Sequence, residues 1–146
     1  MCSSDLEPMP FKGGGTILDA TDDEMLVAFA AGLQPGAPIM FGELRHLGGA
    51  VAREAEHAGA LGSLPGEYLV YAGGAVMAPE LAPAVGAALE GFLTGLANWK
   101  HDRMYLNFAE EATDPVALFG EERAARLRAI RASVDPDGVM VANHAV

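Results

Sequence analysis

Two polar side chains, Tyr105 and Asn107, are spaced so that they could act on one ligand together. Residues 103–108 predict a β-strand, and residues two apart on a strand point to the same face. A phenol beside a substrate could accept or relay a proton, if its neighbours tune it from a free pKa of about 10. The same spacing also fits a tyrosine packed at a strand end and an asparagine that holds a turn.

A second polar pair, Glu43 and Arg45, lies on another predicted strand, residues 39–47. Side chains alternate along a strand, so Glu43 and Arg45 share one face and His46 takes the other. The pair could orient a substrate, or the two side chains could simply bind each other across the sheet. His46 fits a structural histidine better than a catalytic one.

Residue types that bind metals or attack substrates are too few and too scattered to form a site. The one cysteine, Cys2, lies near the start of the chain, and no nucleophile motif accompanies it. A zinc site needs several ligands at close spacing. The four histidines show no i, i+4 pair, and they are His46, His57, His101 and His144. We therefore expect no metal site.

The elements that must position these residues predict an α+β fold. The pattern predicts a first helix that Thr21 or Asp22 caps and that runs to residue 33. It then predicts strands 39–47 and 67–76, helix 79–99, strand 103–108 and helix 121–134. Strands 39–47 and 67–76 could pair antiparallel. The result is a small antiparallel or mixed sheet that helices cover on one face. Three strands leave exposed sheet edges, so the fold is expected to be incomplete by itself.

The first part of the chain, residues 1–15, predicts a disordered start before a domain of residues 16–146. Its first six residues read either as a translated sequencing adapter or as an ordinary disordered beginning. The cluster Gly13, Gly14 and Gly15 predicts a flexible connector. A phosphate-binding loop would need a strand before it, and no convincing strand precedes this cluster.

The last helix and the tail after it carry the remaining polar candidates. A row of arginines on residues 121–134 is expected to be solvated and paired with Glu121 and Glu122. The row consists of Arg123, Arg126, Arg128 and Arg131. After the turn at residues 135–138 comes an extended tail that contains Asn143. Asn143 could be an ordinary turn residue, or it could close the tail back over the domain.

Length and charge exclude several classes of protein. A chain of 146 residues fits one domain, and its net charge of −11 would repel nucleic acid. No run of about 18 apolar residues is present, so we expect no membrane span. The start also lacks the pattern of a secretory signal. We expect a soluble, cytoplasmic protein.

Three segments, taken in order, resemble the berberine-bridge-enzyme-like branch of FAD-linked oxidases. The first is Glu43-Leu44-Arg45-His46-Leu47-Gly48-Gly49-Ala50, and the second is Tyr105-Leu106-Asn107-Phe108 followed by Glu110-Glu111. The third runs from Arg126-Leu127 through Asp135-Pro136-Asp137-Gly138 to Asn143. The likeness covers residues 16–146, with a berberine-bridge-like segment at 103–146. Val134, Met140 and Ala124 depart from the aromatic residues that are frequent in the family at these positions.

The resemblance implies the C-terminal substrate domain of a larger two-domain flavoenzyme, with FAD as cofactor and the FAD-binding domain missing. In such an enzyme, FAD takes a hydride from an alcohol, a sugar-like or an amine carbon. It implies Tyr105 as the catalytic base and Asn107 and Asn143 as cofactor-binding residues. Glu43 and Arg45 would bind the small-molecule substrate. The implied partners are that substrate and the missing FAD-binding domain of the parent chain.

An alternative of another class remains open. The chain could be a stand-alone α+β binding or dimerisation module without catalysis, which associates through its open sheet edge. A well-folded dimer without flavin would favour the module, and an aggregating chain would favour an orphaned part of a flavoenzyme.

Overall fold

The fold is an open three-stranded sheet with helices on one side, seen in a computed structural model that describes residues 9–146. The strands are β1 (Phe11–Leu18), β2 (Phe41–His46) and β3 (Tyr68–Ala75). The helices are α1 (Asp23–Ala31), α2 (Ala82–Gly95), α3 (Pro115–Phe119) and α4 (Glu121–Val134). Short 3₁₀ turns lie at Pro79–Leu81, Ala97–Trp99 and Leu106–Phe108. The α+β prediction is confirmed.

The strand order is β1-β3-β2, and both pairings are antiparallel. Cross-strand partners share a face, so the register sorts every strand residue onto one of two faces. Leu18, Leu44, Val70 and Ala72 belong to the face on which α1 and α2 pack. The helices contribute Met25, Val85, Leu89 and Phe92 to this core, and Leu96 after α2 and Ile39 before β2 complete it.

The helix α1 is placed by its N-cap. Asp22 accepts a hydrogen bond from the backbone N–H of Met25 at 2.7 Å, as the sequence predicts for a capping aspartate. The same carboxylate accepts a second bond from Nε1 of Trp99 at 2.9 Å. These bonds lower the pKa of Asp22, the bond from Met25 most. Asp22 thus joins the start of α1 to the segment after α2.

The prediction of a flexible connector at the glycine cluster is wrong. Gly13, Gly14 and Gly15 lie inside β1, where they are the cross-strand partners of Gly73, Ala72 and Tyr71. Glycine weakens a strand, but it leaves room for bulky neighbours that lie on the sheet. A Cβ on Gly15 would press on Phe108. Ordered sheet thus begins at Phe11, and residues 1–8, with the proposed adapter, lie outside the described residues.

The predicted third strand at residues 103–108 is also wrong, because the third strand is β1. Residues 106–108 form a 3₁₀ turn in which Phe108 N–H donates to the Tyr105 carbonyl at 3.0 Å. Met104 N–H donates to Ala117 of α3 at 2.8 Å. The segment therefore packs across a face of the sheet and against α3, and its backbone does not extend the sheet.

The arginine row of α4 binds neighbouring segments. The predicted partners Glu121 and Glu122 form no ion pair anywhere in residues 9–146, so that part of the prediction is wrong. Arg123 pairs with Glu54 at 2.5 Å, Arg128 with Asp114 at 3.8 Å and Arg131 with Asp135 at 3.9 Å. The bounds of α4 itself agree with the predicted helix 121–134.

We predict that Gly74→Ala destabilises the chain by about 1–3 kcal/mol, because overpacking of a filled interior costs that much. The new Cβ would overlap the carbonyl oxygen of Pro38 and touch Val85. The measurement is urea unfolding. The matched control is Gly91→Ala in α2, where a Cβ meets open space. This substitution should increase the free energy of unfolding by as much as about 1 kcal/mol, because alanine favours a helix more than glycine does. Equal stability of Gly74→Ala and wild type would contradict the packing described here.

Candidate active site

The site candidates gather on the sheet face that α1 and α2 leave uncovered, which we call the open face. Glu43 is the cross-strand partner of Tyr71, so both side chains point to this face. Oε1 of Glu43 lies 2.6 Å from Nη2 of Arg45, which confirms that the two residues can pair. The Arg45 guanidinium lies over the ring of Phe108, 5.4 Å from its centroid. The pair thus stands at the border of an aromatic surface. His46 points to the other face and packs beside Tyr68, as predicted.

Five aromatic rings follow one another across the open face, and we call them the aromatic row. They are Phe11, Phe41, Tyr71, Phe108 and Tyr105. Successive ring centroids lie 5.8, 5.9, 4.2 and 5.2 Å apart. Such spacings are typical of favourable aromatic pairs. The Tyr71–Phe108 pair is the tightest, and it fixes the 3₁₀ turn of residues 106–108 on the sheet.

Tyr105 and Asn107 do meet, although by a different geometry from the predicted strand. Nδ2 of Asn107 donates a hydrogen bond to the phenol oxygen of Tyr105 at 3.0 Å. Asn107 is exposed, and Tyr105 is partly buried at the border of the small cluster of Ile17, Leu47 and Leu69. The 3₁₀ turn brings the two side chains together, and neither is enclosed in the core.

Asn107 and Asn143 share a cavity of about 410 Å³. Leu106, Ala109 and Phe119 form its apolar wall, and His144 lines it beside Asn143. The C-terminal tail reaches this cavity because Asp135 accepts hydrogen bonds from the backbone N–H groups of Val139 and Met140. The structure therefore brings together the two residues that the resemblance assigns to the cofactor.

The sequence reasoning missed a carboxylate that lies directly on the open face. Glu110 accepts hydrogen bonds from the Tyr71 hydroxyl and from the backbone N–H of Gly13, both at 3.0 Å. Burial, then the hydrogen bond and charge of Glu110 and the charge of Glu43, raise the pKa of Tyr71 to about 12. A Cβ on Gly13 would collide with both side chains. The only signal in the sequence is the acidic pair that follows Phe108.

A larger cavity, of about 540 Å³, lies between α4 and the loop before β3 and contains none of the predicted site residues. Charged side chains dominate its wall, among them Glu54, Arg103 and Arg123. The guanidinium of Arg103 donates to the carbonyls of Ala117 and Leu118, at 3.3 and 2.7 Å. Burial is the main cause that lowers the pKa of Arg103. Its bonds give Arg103 a structural role.

Residues 9–146 also bear on the expectations about a metal site and a membrane span. No group of three or more histidine, cysteine, aspartate or glutamate side chains is placed to hold a metal ion there. Within the same residues, every helix is too short or too polar to cross a bilayer.

We predict that the stability difference between wild type and Tyr71→Phe depends on alkaline pH. The unfolded phenol ionises near pH 10 and the folded one near 12, so the folded state binds the proton more tightly. The contribution of Tyr71 is therefore constant below pH 10 and is lost as the pH rises towards 12. Urea unfolding of both proteins across this window measures it. A difference that stays constant between pH 10 and 12 would contradict the Tyr71–Glu110 contact.

Comparisons with known proteins give a likeness in fold. No protein family model matches the sequence, and no curated protein matches it. Among solved structures, the wild type and a single-substitution variant of Physcomitrella patens BBE-like 1 are similar, each with a TM-score of 0.78. Sequence identity is 14%, and each match covers 91% of this chain and 29% of the moss chain. The chain therefore has the fold of part of a berberine-bridge-enzyme-like protein and spans less than a third of that protein's length.

Proposed function

We propose that the chain is the C-terminal, substrate-side part of an FAD-dependent oxidoreductase that oxidises an alcohol, a sugar-like or an amine carbon. The observation that carries the proposal is the fold match to BBE-like 1 together with the cavity shared by Asn107 and Asn143. FAD would supply the hydride acceptor when bound. The chain alone would have negligible activity, because the pyrophosphate and adenine of FAD would lack their domain.

Tyr105 is the proposed base. When a proton leaves a substrate hydroxyl or amine, the group that accepts it must lie within hydrogen-bonding reach. The Asn107 amide already donates to the Tyr105 oxygen, and a donor aimed at that atom stabilises negative charge that forms there. Asn107 would thus act in two ways, because it positions the phenol and also lines the cavity.

The residues fit a flavin ring by their chemistry. An isoalloxazine is planar and carries carbonyl acceptors and one N–H donor on its pyrimidine edge. The carboxamides of Asn107 and Asn143 offer donors and acceptors for such an edge, and Leu106 and Phe119 offer apolar contacts in the same cavity. Glu43 and Arg45 would orient the substrate on the open face. The proposed partners are this substrate and the FAD-binding domain of the parent chain, in the cytoplasm.

We predict weak binding of riboflavin, which carries the isoalloxazine without the adenine nucleotide. In an NMR titration of the full chain, the side-chain amides of Asn107 and Asn143 should shift together, with a dissociation constant in the millimolar range. Asn107→Ala should weaken binding about five- to tenfold, which is the value of one lost hydrogen bond.

The control for the riboflavin titration is Gln34→Ala, which removes a carboxamide whose Nε2 donates to the Ala30 carbonyl in the last turn of α1. Shifts confined to other surfaces, or equal affinity of Asn107→Ala and Gln34→Ala, would contradict the proposal. A chain that purifies yellow, with FAD tightly bound, would contradict the expected dependence on a second domain.

One observation favours the alternative of a binding or dimerisation module. In the described part of the chain, β1 and β2 are both edge strands, and the outer side of β1 is met by short contacts from Lys100, His101 and Glu110 and not by a full strand. Open edges are templates for pairing with another chain. Sedimentation would distinguish the two functions, since a tight flavin-free dimer supports the module.

A further inference from the structure

The open face carries a second feature that the proposed function does not use, which is a negative charge beside exposed aromatic rings. Phe11 and Phe41 stack with an interplanar angle of 12°, and 38% and 41% of their surfaces are exposed. Phe41 also packs against Tyr71, whose hydroxyl donates to Glu110. An exposed aromatic pair therefore lies next to a carboxylate.

The charges on this face leave Glu110 without a cationic partner in the described residues. Glu43 is neutralised by Arg45 at 2.6 Å, whereas the two groups that donate to Glu110 are a hydroxyl and a backbone amide, both neutral. Lys12 lines a cavity of about 170 Å³ together with Glu110, but its side chain alternates to the opposite face of β1 from Gly13 and forms no ion pair with Glu110 in residues 9–146. No ion pair in the described residues therefore offsets a negative charge on Glu110 beside the rings.

The aromatic row already holds one cation. The guanidinium of Arg45 lies 5.4 Å from the ring centroid of Phe108, within the distance at which a cation is attracted by an aromatic face. Phe41 and Phe11, at the other end of the row, have no such cation within residues 9–146 and are the more exposed rings. A cationic ligand would find the same attraction there, with Glu110 as counter-charge.

We propose that the open face binds a substituted ammonium ion, protonated or quaternary, with its charge near Glu110 and its apolar groups on Phe41 and Phe11. Charge complementarity favours this occupant, because a carboxylate repels an anion and offers a neutral ligand no attraction between net charges. The inference goes beyond the proposed function, because Phe41 and Phe11 lie at the opposite end of the aromatic row from Tyr105, the proposed base.

The test is binding of benzyltrimethylammonium to the full chain, followed by NMR at low salt. Saturable shifts should appear at residues of the aromatic row, and the neutral carbon isostere of the probe should bind about three- to tenfold more weakly. Glu110→Gln should weaken binding of the cation by about the same factor. Phe41→Leu, which keeps an apolar side chain and removes the ring, should weaken it too.

The matched control is Glu111→Gln, which removes an equal charge from the adjacent residue. Glu111 makes no contact with Tyr71 among the side-chain hydrogen bonds of residues 9–146. Equal binding of the cation and its isostere, or equal affinity of Glu110→Gln and Glu111→Gln, would overturn the inference. If riboflavin binds and the ammonium ion does not, the ammonium site is wrong and the flavoenzyme proposal stands. If the ammonium ion binds and riboflavin does not, the ammonium site stands and the flavoenzyme proposal is wrong.

Discussion

The structure depends on one asymmetry, which is that helices cover a single face of a three-stranded sheet. Burial of Leu18, Val70 and Ala72 under α1 and α2 supplies the apolar contact that holds the sheet. The other face has no helix layer, and it is closed only in part by the turn that carries Phe108. Glu43, Arg45 and the carboxylate of Glu110 therefore lie where a ligand or another domain can reach them.

Glycine makes that arrangement possible. The backbone of β1 has no side chain at Gly13 and Gly15, so Tyr71 and Phe108 can lie flat over it and Glu110 can accept the N–H of Gly13. With Tyr71 stacked on Phe108 at 4.2 Å, the turn from Leu106 to Phe108 has a fixed position. That position places Asn107 between the phenol of Tyr105 and the cavity that Asn143 lines.

Much of this fold could be predicted from local patterns. The bounds of α4, the cap at Asp22 and the strands β2 and β3 follow from periodicity and turn chemistry, which act over a few residues. β1 could not be found in this way, because three consecutive glycines carry no alternation and are explained only by side chains about 60 to 100 positions later. The Tyr71–Glu110 bond joins residues that are 39 positions apart, so local patterns could not reveal it either.

The candidate site could also be predicted only in part, where local patterns determine it. The pairing of Glu43 with Arg45 was predictable, since strand alternation puts both on one face. Tyr105 and Asn107 were identified correctly as neighbours through an incorrect strand, because a 3₁₀ turn can also bring residues two apart into contact. Their roles toward a flavin and a substrate remain proposals, as do those of Glu43, Arg45 and Asn143.

The central claim is that this open face completes a larger flavin-binding enzyme. Its most direct test is the DNA sequence immediately upstream of the segment that encodes this chain. We expect an uninterrupted reading frame that encodes a flavin-binding domain, joined in frame to Met1. An in-frame stop codon just before Met1, with no flavin-domain sequence beyond it, would contradict the claim.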